Sequence, residues 1–383
     1  MTIEESLNRL IKYIESENYR GWDPYDGLKS SIFRLPLFKN NKLIRFGVQQ
    51  IIKRSPINLR RVLFIPKGYN PVTLGLCIQG YTNLYKSNSY SKTDCNSKIE
   101  FLIDELQKLI PNGYSGACWG YDFDWEARYA KIPAYQPTVV ATGIITNALF
   151  ECYTVTGNLR ALELCKSASK FVLNDLKRTY EGETFCFSYS PFDQQQVFNA
   201  SMKGVRLLSQ VYSVTKDEEF RLAAQQAVRF VVNHQNDDGS WFYANRSTSK
   251  WVDNYHTGYV LDCLKEYINC TGDNTPKENL SRGFNYYKNN FFEKGYQPKF
   301  YEKSFYPLDC TSIGQSLLTL CKFEEVEKAK QVSLFAIESM QSKKGYFYFR
   351  KFRYYTQKTS FMRWSNAWMM AGLSYLLYKE KSK

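Results

Sequence analysis

The sequence predicts an all-α protein, an (α/α)6 toroid of six helical hairpins with an inner and an outer ring of helices. Three observations lead there. One glycine recurs in six apolar helical stretches, a more polar amphipathic helix follows each stretch, and no Pro-, Gly- or Ser-rich linker divides the chain.

The glycines are Gly75, Gly143, Gly204, Gly258, Gly314 and Gly372, about 54 to 68 residues apart. They sit in strings such as PVTLGLCIQGYTNLY, TVVATGIITNALFECY and WSNAWMMAGLSYLLY. Glycine inside a helix costs about 1 kcal/mol relative to alanine, so six placed alike imply a packing reason. Inner helices crowding round one axis supply it. Turns follow, clearest at Thr156-Gly157-Asn158, Thr215-Lys216-Asp217 and Thr271-Gly272-Asp273. EEFRLAAQQAVRFVVNHQ shows the amphipathic helix that comes next. TPR, HEAT and armadillo repeats are shorter, roughly 34 to 47 residues. The expected organisation is one toroid domain over residues 1–383, with a basic segment at about 27–67.

Loops after the outer helices resemble one another. Gln235-Asn236-Asp237-Asp238-Gly239-Ser240-Trp241 is the fullest copy, Gln341-Ser342-Lys343-Lys344-Gly345-Tyr346-Phe347 a degenerate one, and Gly113-Tyr114-Ser115-Gly116-Ala117-Cys118-Trp119 a looser third. A glutamine capping a helix end, a glycine turn and an aromatic plug between hairpins account for the pattern, with Trp241 structural. QNDDGSW resembles the QW motif of terpene cyclases and loops of six-hairpin glycosidases, both toroid families. KWVDNYHTGYVLDCL resembles the Tyr-His-Thr stretch in the C-terminal toroid domain of glucuronyl 5-epimerases, and TVVATGIITNAL a helix entrance of that domain. The β-domain that precedes theirs is not expected within residues 1–383. That resemblance implies a uronate substrate and a base at Tyr255 or His256.

Composition narrows the partners. Aromatics reach 16%, with 30 Tyr, 26 Phe and 7 Trp. A codon bias towards Tyr and Phe accounts for part of this, and flat rings suited to stacking on sugars for the rest. Net charge is +14, in two blocks: twelve Lys/Arg without an acid between Gly27 and Thr93, and eight between Ser339 and Lys379. A ring brings these ends together, and the joint patch favours an anionic carbohydrate, a lipid-linked sugar or a membrane surface. Phe46 to Pro66 is read either as a membrane-surface segment or as the first outer helix. No nucleic-acid module is present, so nucleic acid is not expected. Ten scattered Cys without a CxxC pair read as reduced thiols. Only His234 and His256 exist, so no metal site is expected, nor any cofactor. No secretory signal and no membrane-length apolar run is apparent, and the expected location is cytoplasmic.

Because each inner helix is followed by an antiparallel outer one, all inner helices begin at the same end. The loops leading into them therefore ring the mouth of the cleft, and polar residues cluster there. The second entrance holds Tyr121, Asp122, Asp124, Trp125 and Arg128, with Tyr135 after them. Asp193 and Asn199 sit at the third, Asp253, Asn254, Tyr255 and His256 at the fourth, Asp309 at the fifth, and Arg363, Trp364 and Asn366 at the sixth. Asp and Asn at such positions also cap helices.

Two chemistries compete for these residues. Proton removal at carbon 5 of a uronate needs a base, Tyr255 or His256, and donors for the carboxylate, such as Asn254, Arg128 or Arg363. Glycoside hydrolysis needs paired carboxylates, Asp122 or Asp124 with a partner from Asp193, Asp253 or Asp309. A toroid sugar 2-epimerase would rely on more His than two. The expected function is carbohydrate metabolism by epimerisation or elimination on an acidic glycan. The alternatives are glycoside hydrolysis and a non-catalytic docking partner in polysaccharide assembly.

Overall fold

Six helices carry the six recurrent glycines: α3 (Pro71–Lys86), α5 (Val139–Thr156), α7 (Phe198–Thr215), α9 (Asn254–Thr271), α11 (Cys310–Lys322) and α13 (Trp368–Lys381). In the computed structural model, which describes residues 1–35, 41–126 and 131–382, each of these helices packs on the next and the last returns to the first. They form the inner ring. Their second members, α4 (Lys92–Lys108), α6 (Leu159–Asn174), α8 (Glu218–Asn233), α10 (Lys277–Asn290) and α12 (Val326–Met340), lie outside. The sixth outer helix is the first in the chain, α1 (Ile3–Ser16), which packs on α13 and α12. Two chain ends thus complete one hairpin.

The glycines do what crowding requires. A Cβ on Gly75 would stand 3.0 Å from the Ile145 backbone, one on Gly143 2.7 Å from Lys203 Cβ, and one on Gly314 2.8 Å from the Trp368 carbonyl. Each of these neighbours lies on the adjacent inner helix. Gly204 differs and faces Val172 and Val139. Gly314→Val is expected to destabilise by about 1–3 kcal/mol, because rigid backbone must move. Gly47, within α2 (Lys42–Arg54), has nothing within 4 Å of its would-be Cβ. Gly47→Ala is therefore expected to stabilise, by up to about 1 kcal/mol. Thermal melts of the two variants check both signs.

The repeated loops stitch the outer ring. Gln235 donates to the carbonyls of Gly239 and Asn279, both at 2.9 Å, and Gln341 donates to those of Gly345 at 2.8 Å and Ser6 at 3.0 Å. Gly239 and Gly345 share a left-handed backbone, φ 92° and 98°, and each presses on the next outer helix where a side chain would clash. Trp241 and Trp119 are buried and donate to the carbonyls of Val231 and Leu106, both at 2.9 Å. The second copy joins α12 to α1, so the motif that spaces the repeats also closes the circle.

Two expectations need correction. The helix Lys42–Arg54 is no member of the outer ring; α4 takes that place, and α2 lies instead across residues Asp26–Lys29 and Trp125–Glu126. Its outward side and the chain after it leave Leu43, Ile51, Ile57, Val62 and Phe64 exposed. Helix α5 is long and apolar enough to cross a membrane, contrary to the sequence reading, and it lies in the inner ring, 67% buried. A helix surrounded on all sides needs apolar residues all round. All ten cysteines are free thiols.

Candidate active site

The amino ends of the inner helices surround a cavity of about 400 Å³. Its wall is aromatic: Tyr121, Trp125, Tyr189, Tyr243, Trp251, Tyr255 and Trp364 are among its lining residues. Tyr243 and Trp251 stack at 4.5 Å with 14° between their planes, and Tyr255 stacks on Phe300 at 5.6 Å. Burial pushes the phenols of Tyr189, Tyr255 and Tyr259 well above their ordinary pKa. They stay protonated and can donate hydrogen bonds.

One pair in this wall has the geometry of a base. Asp253 caps α9, its Oδ1 accepting from the His256 backbone N–H at 3.0 Å. Its Oδ2 lies 2.6 Å from His256 Nδ1 and 3.2 Å from Trp251 Nε1. With Nδ1 held as the donor to a carboxylate, the lone pair belongs to Nε2. Nε2 makes no hydrogen bond among the described residues, and the imidazole lines the cavity with 21% of its side chain exposed. One side chain thus both caps the helix and orients the imidazole.

The donors come from three further entrances. Arg363 is held by two bonds to Asp23, 2.6 and 2.9 Å, and lies over the rings of Tyr121 and Trp364 at 4.6 and 4.7 Å. Arg350 lies over the rings of Phe300 and Phe349 and hydrogen-bonds through Nε, 2.6 Å from Asp309 Oδ2; its two terminal nitrogens make no hydrogen bond among the described residues. Lys53 reaches in from α2 and donates to Tyr25 Oη at 2.7 Å. Two buried donors of cavity-lining residues, Asn199 Nδ2 and Trp364 Nε1, are unpaired among the described residues. An unpaired buried donor costs about 1–3 kcal/mol, a cost that an acceptor brought within reach would relieve. Asp253 is the sole carboxylate among the described lining residues.

Solved structures share this architecture. A cellobiose 2-epimerase from Bacillus thermoamylovorans superposes with a TM-score of 0.63 at 12% identity, covering 83% of this chain and 90% of its own. A family 76 glycoside hydrolase (mannosidase) from Bacteroides thetaiotaomicron gives 0.58 at 12% identity, with 98% of each chain covered. A possible member of the GH105 family from Salmonella enterica gives 0.58 at 12%, over 80% and 82%. The shared fold is the (α/α)6 toroid. No family profile and no curated protein matches the sequence.

The toroid sorts the sequence-predicted residues. Tyr121, Trp125, Asn199, Asp253, Tyr255, His256, Arg363 and Trp364 line the cavity. Asp122 and Asp124 do not. Lys29 and Asn70 hold Asp122 at 2.7 and 2.9 Å, and Arg45 holds Asp124 and Glu126 at 3.2 and 3.0 Å. Asp193 ties its own loop together through Tyr189 N, Gln195 N and Ser190 Oγ. Asn254 is buried against Tyr287 and Ser316, Asn366 against Phe347 N and Ser360, and Asp309 stands behind Arg350. Tyr135 lies off the cavity, 43% exposed. Arg128 lies outside the described residues.

Sequence reasoning missed Arg350 and Lys53 as cavity residues. Arg350 follows directly on the degenerate loop GYFYF, in a strand that pairs Arg350 with Asp309 at the fifth entrance. The signal was that each such loop must run back across the mouth to reach the next inner helix. Of the two histidines only His256 reaches the cavity; His234 sits beneath Phe230 and Phe198, its Nδ1 2.8 Å from the Phe230 carbonyl.

Proposed function

We propose that the protein is a carbohydrate-active enzyme that removes the proton next to the carboxylate of a uronic-acid sugar, with His256 as the base. The Asp253–His256 pair, its Nε2 unengaged in a donor-lined cavity, carries this reading. His256 Nε2 takes the proton from carbon 5 and becomes an imidazolium beside Asp253. The electron pair left on carbon 5 moves into the carboxylate, whose oxygens gain charge. Fixed donors at that point lower the barrier, and Arg350 Nη1 and Nη2, Asn199 Nδ2 and Trp364 Nε1 are the donors left over. Delivery of a proton to the opposite face of carbon 5, from water or a protonated cavity phenol such as Tyr189 or Tyr259, inverts it. Departure of the oxygen on carbon 4, which takes a proton from the Tyr255 phenol, leaves instead an unsaturated sugar.

Tyr255 was expected as a second base. Its buried phenol stays protonated, so in this mechanism it donates, to a ring oxygen or to the leaving group. The fold neighbours named above include an epimerase and glycoside hydrolases, which supports sugar chemistry in this cleft. Hydrolysis by paired carboxylates is less well supported, because it needs two carboxyl groups about 5 to 9.5 Å apart across the scissile bond. Asp253 is the one carboxylate among the described residues that line the cavity, and it is engaged by three donors.

The test is proton exchange in heavy water, read by NMR, with glucuronate- and galacturonate-containing glycans beside neutral ones. Deuterium entering carbon 5, with or without an unsaturated product, is the expected result. New reducing ends without exchange would transfer the activity to a hydrolytic mechanism. Tight binding with neither outcome would leave a glycan-docking role and overturn the enzyme reading.

A further inference from the structure

The cavity does not end at its aromatic wall. A second depression of about 600 Å³ adjoins it and shares four lining residues, Trp125, Tyr189, Tyr243 and Trp251. One bank is Gln194–Gln196, and the other holds Asn245, Thr248 and Ser249. The banks are joined at their base. Val197 pairs with Ala244 across a β-bridge, Asn245 N donates to the Gln196 carbonyl at 3.0 Å, and Asn245 Nδ2 donates to Gln196 Oε1 at 2.8 Å. Tyr243 and Trp251 are tied in turn by a backbone bond at 3.0 Å. The groove is thus a built feature that shares its wall with the cavity.

Its chemistry differs from that of the cavity. Primary amides and hydroxyls both donate and accept, as sugar hydroxyls do, and the shared aromatic rings offer flat faces. The cavity offers mostly donors, suited to a carboxylate. We propose that the groove is a second sugar subsite, so that the substrate is an oligo- or polysaccharide chain and not a monosaccharide. The reacting sugar occupies the cavity, and its chain neighbour crosses the Tyr243–Trp251 wall into the groove. This rests on the carbohydrate reading above but not on its acid–base chemistry.

Titration calorimetry tests it with glucuronic acid against hyaluronan tetra- and hexasaccharides, in which glucuronate alternates with a neutral sugar, and with glucose and mannose against cellotetraose and mannotetraose. In at least one series the tetrasaccharide is expected to bind about tenfold or more tighter than its monosaccharide, a factor worth about 1.4 kcal/mol. Ser249→Trp, at a residue that lines the groove and not the cavity, should abolish that gain and leave monosaccharide binding in the cavity unchanged. Thr248→Trp provides a second block should the first variant fold poorly. A gain confined to neutral chains would overturn the uronate reading and uphold the groove. A chain-length gain that survives both blocks, or no gain in any series, would overturn the groove whatever reaction the cavity performs.

Discussion

Replacing His256 by alanine is expected to lower carbon-5 exchange by about a hundredfold to ten-thousandfold, the usual contribution of a positioned acid–base group. The loss should fall on kcat, since the imidazole acts on the reacting proton. Asp253→Asn should reduce kcat as well, because an amide donor facing Nδ1 favours the wrong tautomer. It keeps an oxygen for the α9 cap, so its melting temperature should stay near that of the native protein. Arg350→Met should act differently and raise KM as well as lower kcat, because its free nitrogens would meet the carboxylate before reaction and hold it more strongly as its charge grows. Exchange rates and saturation curves for the three variants separate these roles. Full activity in His256→Ala would remove the base assigned here.

Replacing Lys203 by methionine is expected to stabilise the protein at acid and neutral pH, and less so in alkali. Lys203 lies on α7, 1% exposed, with its ammonium 3.5 Å from the centre of the Tyr259 ring. Burial lowers its pKa to about 7, with Arg206 and Lys322 acting in the same direction and Cys263 and Asp262 opposing. In the unfolded chain the same amine titrates near its ordinary 10.5. Between those values the unfolded chain binds the extra proton, so stability rises with pH across the window. Below pH about 7 both states are charged and the native state carries the whole cost, on the order of several kcal/mol. Melting temperatures of native and Lys203→Met protein at pH 6 and pH 10 give the readout. The gap between them should narrow with rising pH. A gap that does not change would show that the ammonium is comfortably accommodated when charged.

Much of the architecture was legible because it repeats. Six glycines marked six inner helices, and structure shows why: Gly75, Gly143 and Gly314 meet the neighbouring inner helix where a methyl group would collide. The Gln-Gly-Trp loops were legible for a similar reason, since Gln235 and Gln341 answer the same spacing in two places. The error over Lys42–Arg54 came from reading an amphipathic helix as a ring member by default. Its polar contacts, Arg45 to Asp124 and Glu126, lie far along the chain and leave no local mark.

The site divided along the same line. Periodicity and chain direction were sufficient to place the inner-helix entrances round one mouth, because helix geometry is a local property repeated six times. Which polar residue at each entrance faces the cavity was decided by tertiary pairing. Asp122 went to Lys29, Asp309 to Arg350 and Asp23 to Arg363, partners 93, 41 and 340 residues apart. A buried carboxylate is stabilised only by a partner at hydrogen-bonding distance, and the closing ring alone determines which partner that is. The sequence by itself therefore determined the ring and its mouth, and the tertiary structure decided which of the residues standing there, His256 and Arg350 among them, line the cavity.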